Sequence, residues 1–111
     1  MLPKSRRLRL NRDFERVFSL GRSLAGRFLK IKFLKEGNSP ACFAVVVSNK
    51  VSKRAVVRNR IRRRLWSSIL KIDSVSLNGL KIAVVVKPEA SGSSFNDLSD
   101  DFYRLITKKS L

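Results

Sequence analysis

The chain has 111 residues and no histidine, and its 25 Lys and Arg against eight Asp and Glu give a formal net charge of +17. Self-repulsion of this size favours a polyanionic partner, and nucleic acid is the first candidate. An anionic membrane is the rival, but the chain shows neither a long apolar stretch nor a signal-peptide pattern, so we expect a soluble, cytoplasmic protein with no membrane partner. The length predicts one domain, residues 1–111.

A short amphipathic helix is the first predicted element. Asn11 is suited to its N-cap, and Gly21 is suited to the C′ position where the helix ends. Acidic residues in its first turn interact favourably with the positive end of the helix dipole. Its apolar side chains, which we expect to be buried, are Phe14, Val17 and Phe18.

Two strands are predicted next. Residues 27–35 alternate apolar and cationic side chains, a pattern typical of a half-exposed strand. Residues 41–47 form an unbroken apolar, β-branched run, which favours a strand covered on both faces. Gly37 and Pro40 mark a turn between them. Cys42 is the only cysteine, so it cannot form an internal disulfide, and its apolar neighbours predict a buried thiol.

The segment from Ser48 to Leu65 carries Lys or Arg at eight of its eighteen positions. Ser52 is the expected N-cap of a helix here. The apolar residues recur at helical spacing and form one stripe, namely Val57, Ile61, Leu65, Ile69 and Ile72. The opposite face carries Asn59, Arg60, Arg63, Arg64 and Lys71, while Arg58 and Arg62 flank the stripe. Such a helix can pack on a core with one side and bind a polyanion with the other.

A second continuous apolar strand is predicted at Leu80–Val86, about twenty residues of helix after the first, which is the length that a parallel βαβ crossover needs. Ser94 and Asp97 resemble a capping box at the start of a last amphipathic helix. Its apolar residues are Phe95, Leu98, Phe102, Leu105 and Ile106. Together these elements predict an α+β fold, a two-layer sandwich with one largely covered sheet. The general rule makes the crossover right-handed.

Candidate catalytic groups are mostly absent from the sequence. Without histidine the chain lacks the commonest general base and the imidazole metal ligand, and it has no glycine-rich phosphate loop. Asp97, Asp100 and Asp101 share a helix face and could in principle hold magnesium. Acids at a helix amino terminus are better explained by the helix dipole, so we assign no catalytic and no metal-binding residue. Any chemistry on RNA would then need groups from another molecule.

Three separated blocks carry a family resemblance. Asp13–Phe18, Val46–Lys50 and Val56–Arg63 follow one another in the order found in the protein subunit of bacterial ribonuclease P, and Arg58-Asn59-Arg60 resembles its Arg-Asn-Arg signature. The resemblance implies a ribonucleoprotein whose RNA subunit, with magnesium ions held by RNA, removes the 5′ leader from precursor tRNA. The chain would be an accessory subunit without a cofactor of its own. It also implies the order α-β-β-β-α-β-α, a left-handed crossover and an extra strand within residues 23–29.

The resemblance further implies two binding surfaces. The first is a cleft for the single-stranded leader, formed here by Phe14, Phe18, Lys50 and Lys87. Two phenylalanines four residues apart on a short helix are as often core residues, so both interpretations remain open. The second surface would bind the catalytic RNA subunit and contains Lys53, Arg54, Arg58, Asn59, Arg60, Arg62, Arg63 and Arg64.

Three positions depart from the family pattern. In the family a glycine is common where Ser52 stands, a leucine is common near Arg64, and another basic residue is common where Trp66 stands. Trp66 lies off the apolar stripe, and we favour packing under the last helix over stacking on RNA. Two other classes share parts of the pattern: a small ribosomal protein would have similar charge, and a protein-only nuclease would need acid–base groups that the sequence does not offer.

Overall fold

A computed structural model describes residues 11–37, 41–72 and 78–109. Its elements are α1 (Asn11–Leu20), β1 (Arg22–Ala25), β2 (Leu29–Lys35), β3 (Cys42–Val46), α2 (Ala55–Leu70), β4 (Leu80–Val86) and α3 (Phe95–Lys109), with a 3₁₀ turn at Pro88–Ala90. This order confirms the predicted α+β class. It also contains, as β1, the extra strand that the family resemblance implied within residues 23–29, here beginning one residue earlier.

The four strands form one sheet in the order β1-β2-β4-β3. β1 and β4 both pair antiparallel with β2, whereas β3 and β4 pair parallel. Parallel neighbours need a long connection, and α2 supplies it, which confirms the predicted βαβ unit. The hand of this crossover stays a prediction.

Each face of the sheet packs against different helices. Helices α2 and α3 cover one face, where the main core forms between them and Leu29, Ile31, Phe43, Ile82 and Val84. On the opposite face α1 rests on the sheet through Val17, which packs on Ala44 and Ala83 in mid-strand. The predicted two-layer packing is therefore present, and α1 adds a partial cover on the second face.

Strand β3 differs from its prediction. It lies at the edge of the sheet, and Val45 and Val46 are only half-buried, so the expectation of a strand covered on both faces is wrong for it. β2 and β4 are the strands with neighbours on both sides. Cys42 is half-buried on the α1 face, rather than fully buried as predicted. An apolar run shows that a strand is buried, but it does not reveal the strand's place in the sheet.

Helix α1 ends at Leu20, and Gly21 follows as predicted. The backbone N–H of Gly21 donates to the carbonyl of Val17 at 3.0 Å. Gly21 does not have the positive φ of a C′ glycine. A Cβ there would lie 2.4 Å from the Val17 carbonyl oxygen and 2.7 Å from that of Phe33, so glycine is required by close approach. The predicted cap by the Asn11 side chain and the turn at 38–40 lie outside the described residues.

Helix α2 confirms the apolar stripe and corrects its start. Arg54, not Ser52, is the N-cap residue, and no side chain caps the helix. The Ser52 hydroxyl instead accepts a hydrogen bond from the backbone N–H of Arg54 at 3.2 Å. Trp66 is buried with the stripe, which confirms that it packs in the core. The buried arc is wider than the stripe because α3 packs beside α2, where Ser68 and Ser99 share a 2.8 Å hydrogen bond.

Helix α3 begins with the predicted capping box. The N–H of Asp97 donates to the Ser94 hydroxyl, and the N–H of Ser94 donates to the Asp97 carboxylate, both at 3.1 Å. This reciprocal pair satisfies two N–H groups that the first turn of a helix leaves without partners. The Asp97 carboxylate is thus engaged in the helix cap rather than in the magnesium site considered as an alternative.

Asp101 is the most deeply buried carboxylate described, at 2% exposed. Its oxygens accept hydrogen bonds from the backbone N–H groups of Arg27, Phe28 and Leu29 at 3.1, 2.9 and 2.9 Å. A Cβ at Gly26 would lie 2.4 Å from one of these oxygens, so only glycine leaves room for the carboxylate. Asp101 therefore ties α3 to the turn between β1 and β2.

We predict that Asp101→Ala lowers the free energy of unfolding by about 3 kcal/mol or more, because it leaves three backbone N–H groups without acceptors. Asp100→Ala is the matched control, since Asp100 is exposed on the same helix and should stay within about 0.5 kcal/mol of the parent chain. Urea unfolding followed by circular dichroism measures both. Equal stability of the two variants would contradict the structural role of Asp101.

Candidate RNA interface

The outer face of α2 is strongly cationic. Because the stripe residues turn toward the sheet, the polar residues of the same helix turn toward solvent. The exposed members of the predicted RNA-binding set are Lys53, Arg54, Asn59, Arg60 and Arg63. The remaining members, Arg58, Arg62 and Arg64, are half-buried. The structure thus brings all eight predicted residues onto one helix and its amino-terminal approach.

The three half-buried arginines are held in place by neighbours. Arg58 donates to the backbone carbonyl of Ser52 at 2.9 Å, and Arg62 donates to the side-chain oxygen of Asn59 at 2.7 Å. The Arg64 guanidinium lies 5.8 Å from the centre of the Phe95 ring. A guanidinium has five N–H donors, so each arginine keeps donors for a ligand. Orienting them in advance reduces the entropy lost on binding.

Carboxylates do not neutralise this face within the described part of the chain. α2 has no acidic residue in its first turn. The ion pairs among described residues lie elsewhere: Glu36 pairs with Arg16 and Lys81, Glu89 with Lys87, and Asp101 with Arg104. The positive potential of α2 is therefore available to a partner, and forked guanidinium groups match phosphate oxygens.

A second surface lies where α1 meets the sheet. The rings of Phe14 and Phe18 stack, with centroids 6.2 Å apart and planes inclined by 12°. Phe14 is half-buried, but Phe18 is 39% exposed, so the prediction that helix packing buries Phe18 is wrong. The Lys32 ammonium lies 4.9 Å from the centre of the Phe18 ring. A partly exposed aromatic ring next to a cation suits a nucleic-acid base and its phosphate.

The sheet face next to α1 is only partly covered. Lys30, Val85 and Val46 are register partners on β2, β4 and β3, and all three are half-buried. Alternation along each strand places them on the face that carries Lys32, Ala83 and Ala44. We call the surface formed by Phe14, Phe18, Lys30, Lys32, Val46 and Val85 the α1 cleft.

The two predicted leader-binding lysines lie at the end of this sheet. Lys50 follows β3 and Lys87 follows β4, and the carboxyl ends of parallel neighbours lie at the same edge. Lys50 is exposed. Lys87 donates to the carbonyl of Gly26 at 3.0 Å and pairs with Glu89 at 3.2 Å. Lys87 therefore also braces the turn that Asp101 holds.

A family model for ribonuclease P matches residues 2–110. The chain belongs to the ribonuclease P protein family. It is 38% identical over 109 residues to the ribonuclease P protein component of Pseudanabaena sp., covering 97% of this chain and 94% of that protein. It is 36% identical to the component of Acidothermus cellulolyticus, covering 96% of this chain and 89% of that protein. Membership sets aside the small ribosomal protein as an alternative.

Solved structures of the family share the fold. The ribonuclease P protein of Thermotoga maritima has a TM-score of 0.81 at 26% identity, covering 92% of this chain and 96% of that chain. A Staphylococcus aureus ribonuclease P protein mutant, described as defective in mRNA degradation activity, has a TM-score of 0.85 at 21% identity. The match covers 96% of this chain and 89% of that chain. At that identity the likeness concerns the fold alone.

Lys30 and Lys32 were missed as candidates by the sequence analysis. Their signal was present, because both occupy the cationic positions of the alternating run at residues 27–35. The pairing of β2 with β4 is what assigns these two positions to the face of the sheet that carries α1. Strand alternation alone assigns them only to one side of the strand.

We predict that Arg60→Ala and Arg63→Ala each leave the free energy of unfolding within about 0.5 kcal/mol of the parent, since both side chains are exposed. The logarithm of the affinity for the RNA subunit falls linearly with the logarithm of the salt concentration. Each variant should make this slope shallower by roughly one unit for every phosphate that it no longer binds. Ile61→Ala is the opposite case, because Ile61 is buried and its truncation should cost about 2–5 kcal/mol. Unchanged affinity and slope for both arginine variants would contradict the assignment.

Proposed function

We propose that this chain is the subunit of ribonuclease P that binds the catalytic RNA through the cationic face of α2 and the 5′ leader of precursor tRNA through the α1 cleft. The observation that carries the proposal is the row of guanidinium groups on α2, which the described carboxylates leave unneutralised. Family membership supports a part in tRNA processing. We expect the subunit to act in the cytoplasm.

The α1 cleft has the features that a single strand needs. Unpaired bases can stack on an exposed ring, which contributes about 1–3 kcal/mol per base, and Phe18 offers such a ring. Lys30 and Lys32 stand next to it for the phosphates, and Lys50 extends the positive charge along the sheet edge. A folded, double-stranded tRNA body cannot present its bases in this way, so the cleft favours the leader.

The two surfaces lie on different sides of the sheet. α1 packs on one face, while α2 packs on the other and turns its cations outward. A subunit with this geometry can hold the catalytic RNA and the leader of a bound substrate at the same time. It would thereby position the substrate without contributing a reacting group.

Cleavage itself is assigned to the RNA subunit and to magnesium ions that RNA holds. Two of the three clustered carboxylates of α3 are engaged by backbone N–H groups, Asp97 in the capping box and Asp101 at the β1–β2 turn. The described residues contain no cluster of three or more His, Cys, Asp or Glu side chains able to hold a metal ion. They also contain no helix long and apolar enough to cross a membrane.

We predict that RNA-free protein does not release the leader from precursor tRNA, whereas a cognate catalytic RNA with magnesium does. Adding the protein should raise that activity most at low magnesium, because its cations replace counterions that the assembled RNAs otherwise need. Gel separation of leader and mature tRNA measures the reaction. Cleavage by rigorously RNA-free protein would overturn the assignment of the chemistry.

We predict that Phe18→Leu weakens binding of precursor tRNA by several-fold but leaves mature tRNA unaffected, because only the precursor has a base to stack on the ring. Leu20→Ala is the matched control, since Leu20 is an exposed apolar residue on the same helix outside the stacked pair. Affinities are measured with the assembled holoenzyme, and thermal unfolding of each variant is recorded in parallel. Equal losses for both tRNAs would indicate a packing role for Phe18.

A further inference from the structure

A groove of about 390 Å³ runs along one flank of α2. Its lining residues are Val56, Asn59, Arg62, Arg63 and Trp66. Residues 56, 59, 63 and 66 follow one another at steps of three or four, so they form a single row along the helix. Asn59 and Arg63 of this row belong to the face opposite the stripe that packs on the core. The volume of the groove falls in the range of small-ligand sites, about 300–1,000 Å³.

The groove has two apolar walls. Val56 is 60% exposed, which is unusual for a β-branched apolar residue on so charged a helix. Trp66 is 9% exposed, so its indole is anchored in the core, and it also lines the groove. A ligand that covers Val56 and the exposed part of Trp66 would remove apolar surface from water.

The polar groups of the groove are donors. The side-chain oxygen of Asn59 already accepts a hydrogen bond from Arg62 at 2.7 Å. What remains for a ligand is the Asn59 amide N–H₂, the other N–H groups of Arg62 and the exposed guanidinium of Arg63. The ligand that fits is flat and apolar on its faces, carries acceptors on its edge and is negatively charged. A nucleotide has all of these features, and guanine presents two adjacent acceptors, O6 and N7, on one edge.

We propose that this groove binds one unstacked nucleotide of RNA, with the base against Val56 and Trp66, its acceptor edge toward Asn59 and Arg62, and its phosphate at Arg63. The inference rests on the proposed function, in which α2 faces RNA, and adds a particular site to it. Because the Asn59 side-chain oxygen is already engaged by Arg62, the groove prefers guanine to adenine, whose corresponding edge combines an acceptor with a donor. Bulges and loops of structured RNA supply such splayed bases.

Trp66 is the only tryptophan, so its fluorescence reports on this groove. The probes are three short RNA duplexes of one sequence that differ only in a single bulged guanine, a single bulged adenine or no bulge. With the full-length protein, the guanine bulge should quench Trp66 and bind about tenfold more tightly than the perfect duplex, which corresponds to about 1.4 kcal/mol. The adenine bulge should fall between them.

Val56→Ser removes one apolar wall and should abolish the preference for the bulged duplexes while leaving affinity for the perfect duplex unchanged. Leu70→Ser is the control, because Leu70 is 50% exposed on the same helix and lies outside the groove. It should keep the full preference. Loss of the preference in the Leu70 variant would overturn the site. Thermal unfolding verifies that both variants fold.

Several outcomes would overturn the proposal. Equal affinity for bulged and perfect duplexes with unchanged Trp66 fluorescence would overturn the groove and leave the RNA-binding role of α2 intact. Absence of binding to any of the three duplexes would contradict that role as well. Equal affinity for the two bulges would overturn the donor role of Asn59 and Arg62. Quenching of Trp66 by an acidic peptide as strong as by the guanine bulge would overturn the assignment of a nucleotide.

Discussion

One buried carboxylate joins elements that are more than seventy residues apart in the chain. Asp101 accepts hydrogen bonds from three backbone N–H groups at the turn between β1 and β2. No other described carboxylate is as deeply buried. Three backbone donors hold the charge in place of water, which is the condition under which a buried carboxylate is tolerated. The bonds set the position of α3 on the sheet. α3 in turn closes the core next to α2, through Leu98, Phe102 and Leu105.

The orientation of α2 depends on that closure. Its buried side packs on the sheet and, through Ser68, on α3, where the Ser68 hydroxyl meets Ser99 and its carbonyl accepts from Tyr103. A helix held along two sides cannot rotate, so its arginines stay on the outer surface. The charge that would destabilise a compact domain by self-repulsion is thereby spread along a face that a polyanion can cover.

Several of the described acidic residues pair with cations away from α2. Glu36 pairs with both Arg16 of α1 and Lys81 of β4, and Glu89 pairs with Lys87 next to the β1–β2 turn. Partly exposed pairs of this kind contribute little stability individually, about 0–1 kcal/mol. Their placement matters more, because it concentrates neutralisation around α1 and the sheet ends and leaves α2 positive. In the proposed function this segregation favours the catalytic RNA on α2 and a weaker, stacking contact with the leader at the α1 cleft.

Local sequence patterns were sufficient to predict much of the fold. The apolar stripe of α2, the Ser94–Asp97 capping box and the run of β4 were predicted correctly, because each depends on neighbours within about four residues. The family resemblance added β1 and the cationic RNA-binding set, which the structure places on α2 and its amino-terminal approach. What these patterns describe is which side of an element is apolar and where the element begins or ends.

The sequence by itself therefore determined the order of the elements other than β1, the amphipathic character of α2 and the excess of positive charge that favours a polyanionic partner. Only the tertiary structure decided that β3 lies at the edge, that Phe18 stays exposed beside Lys32 and that Asp101 holds a distant turn. These features arise from contacts between residues far apart in the chain. They depend on strand order and on which helix packs next to which, and helical or strand periodicity carries no information about either.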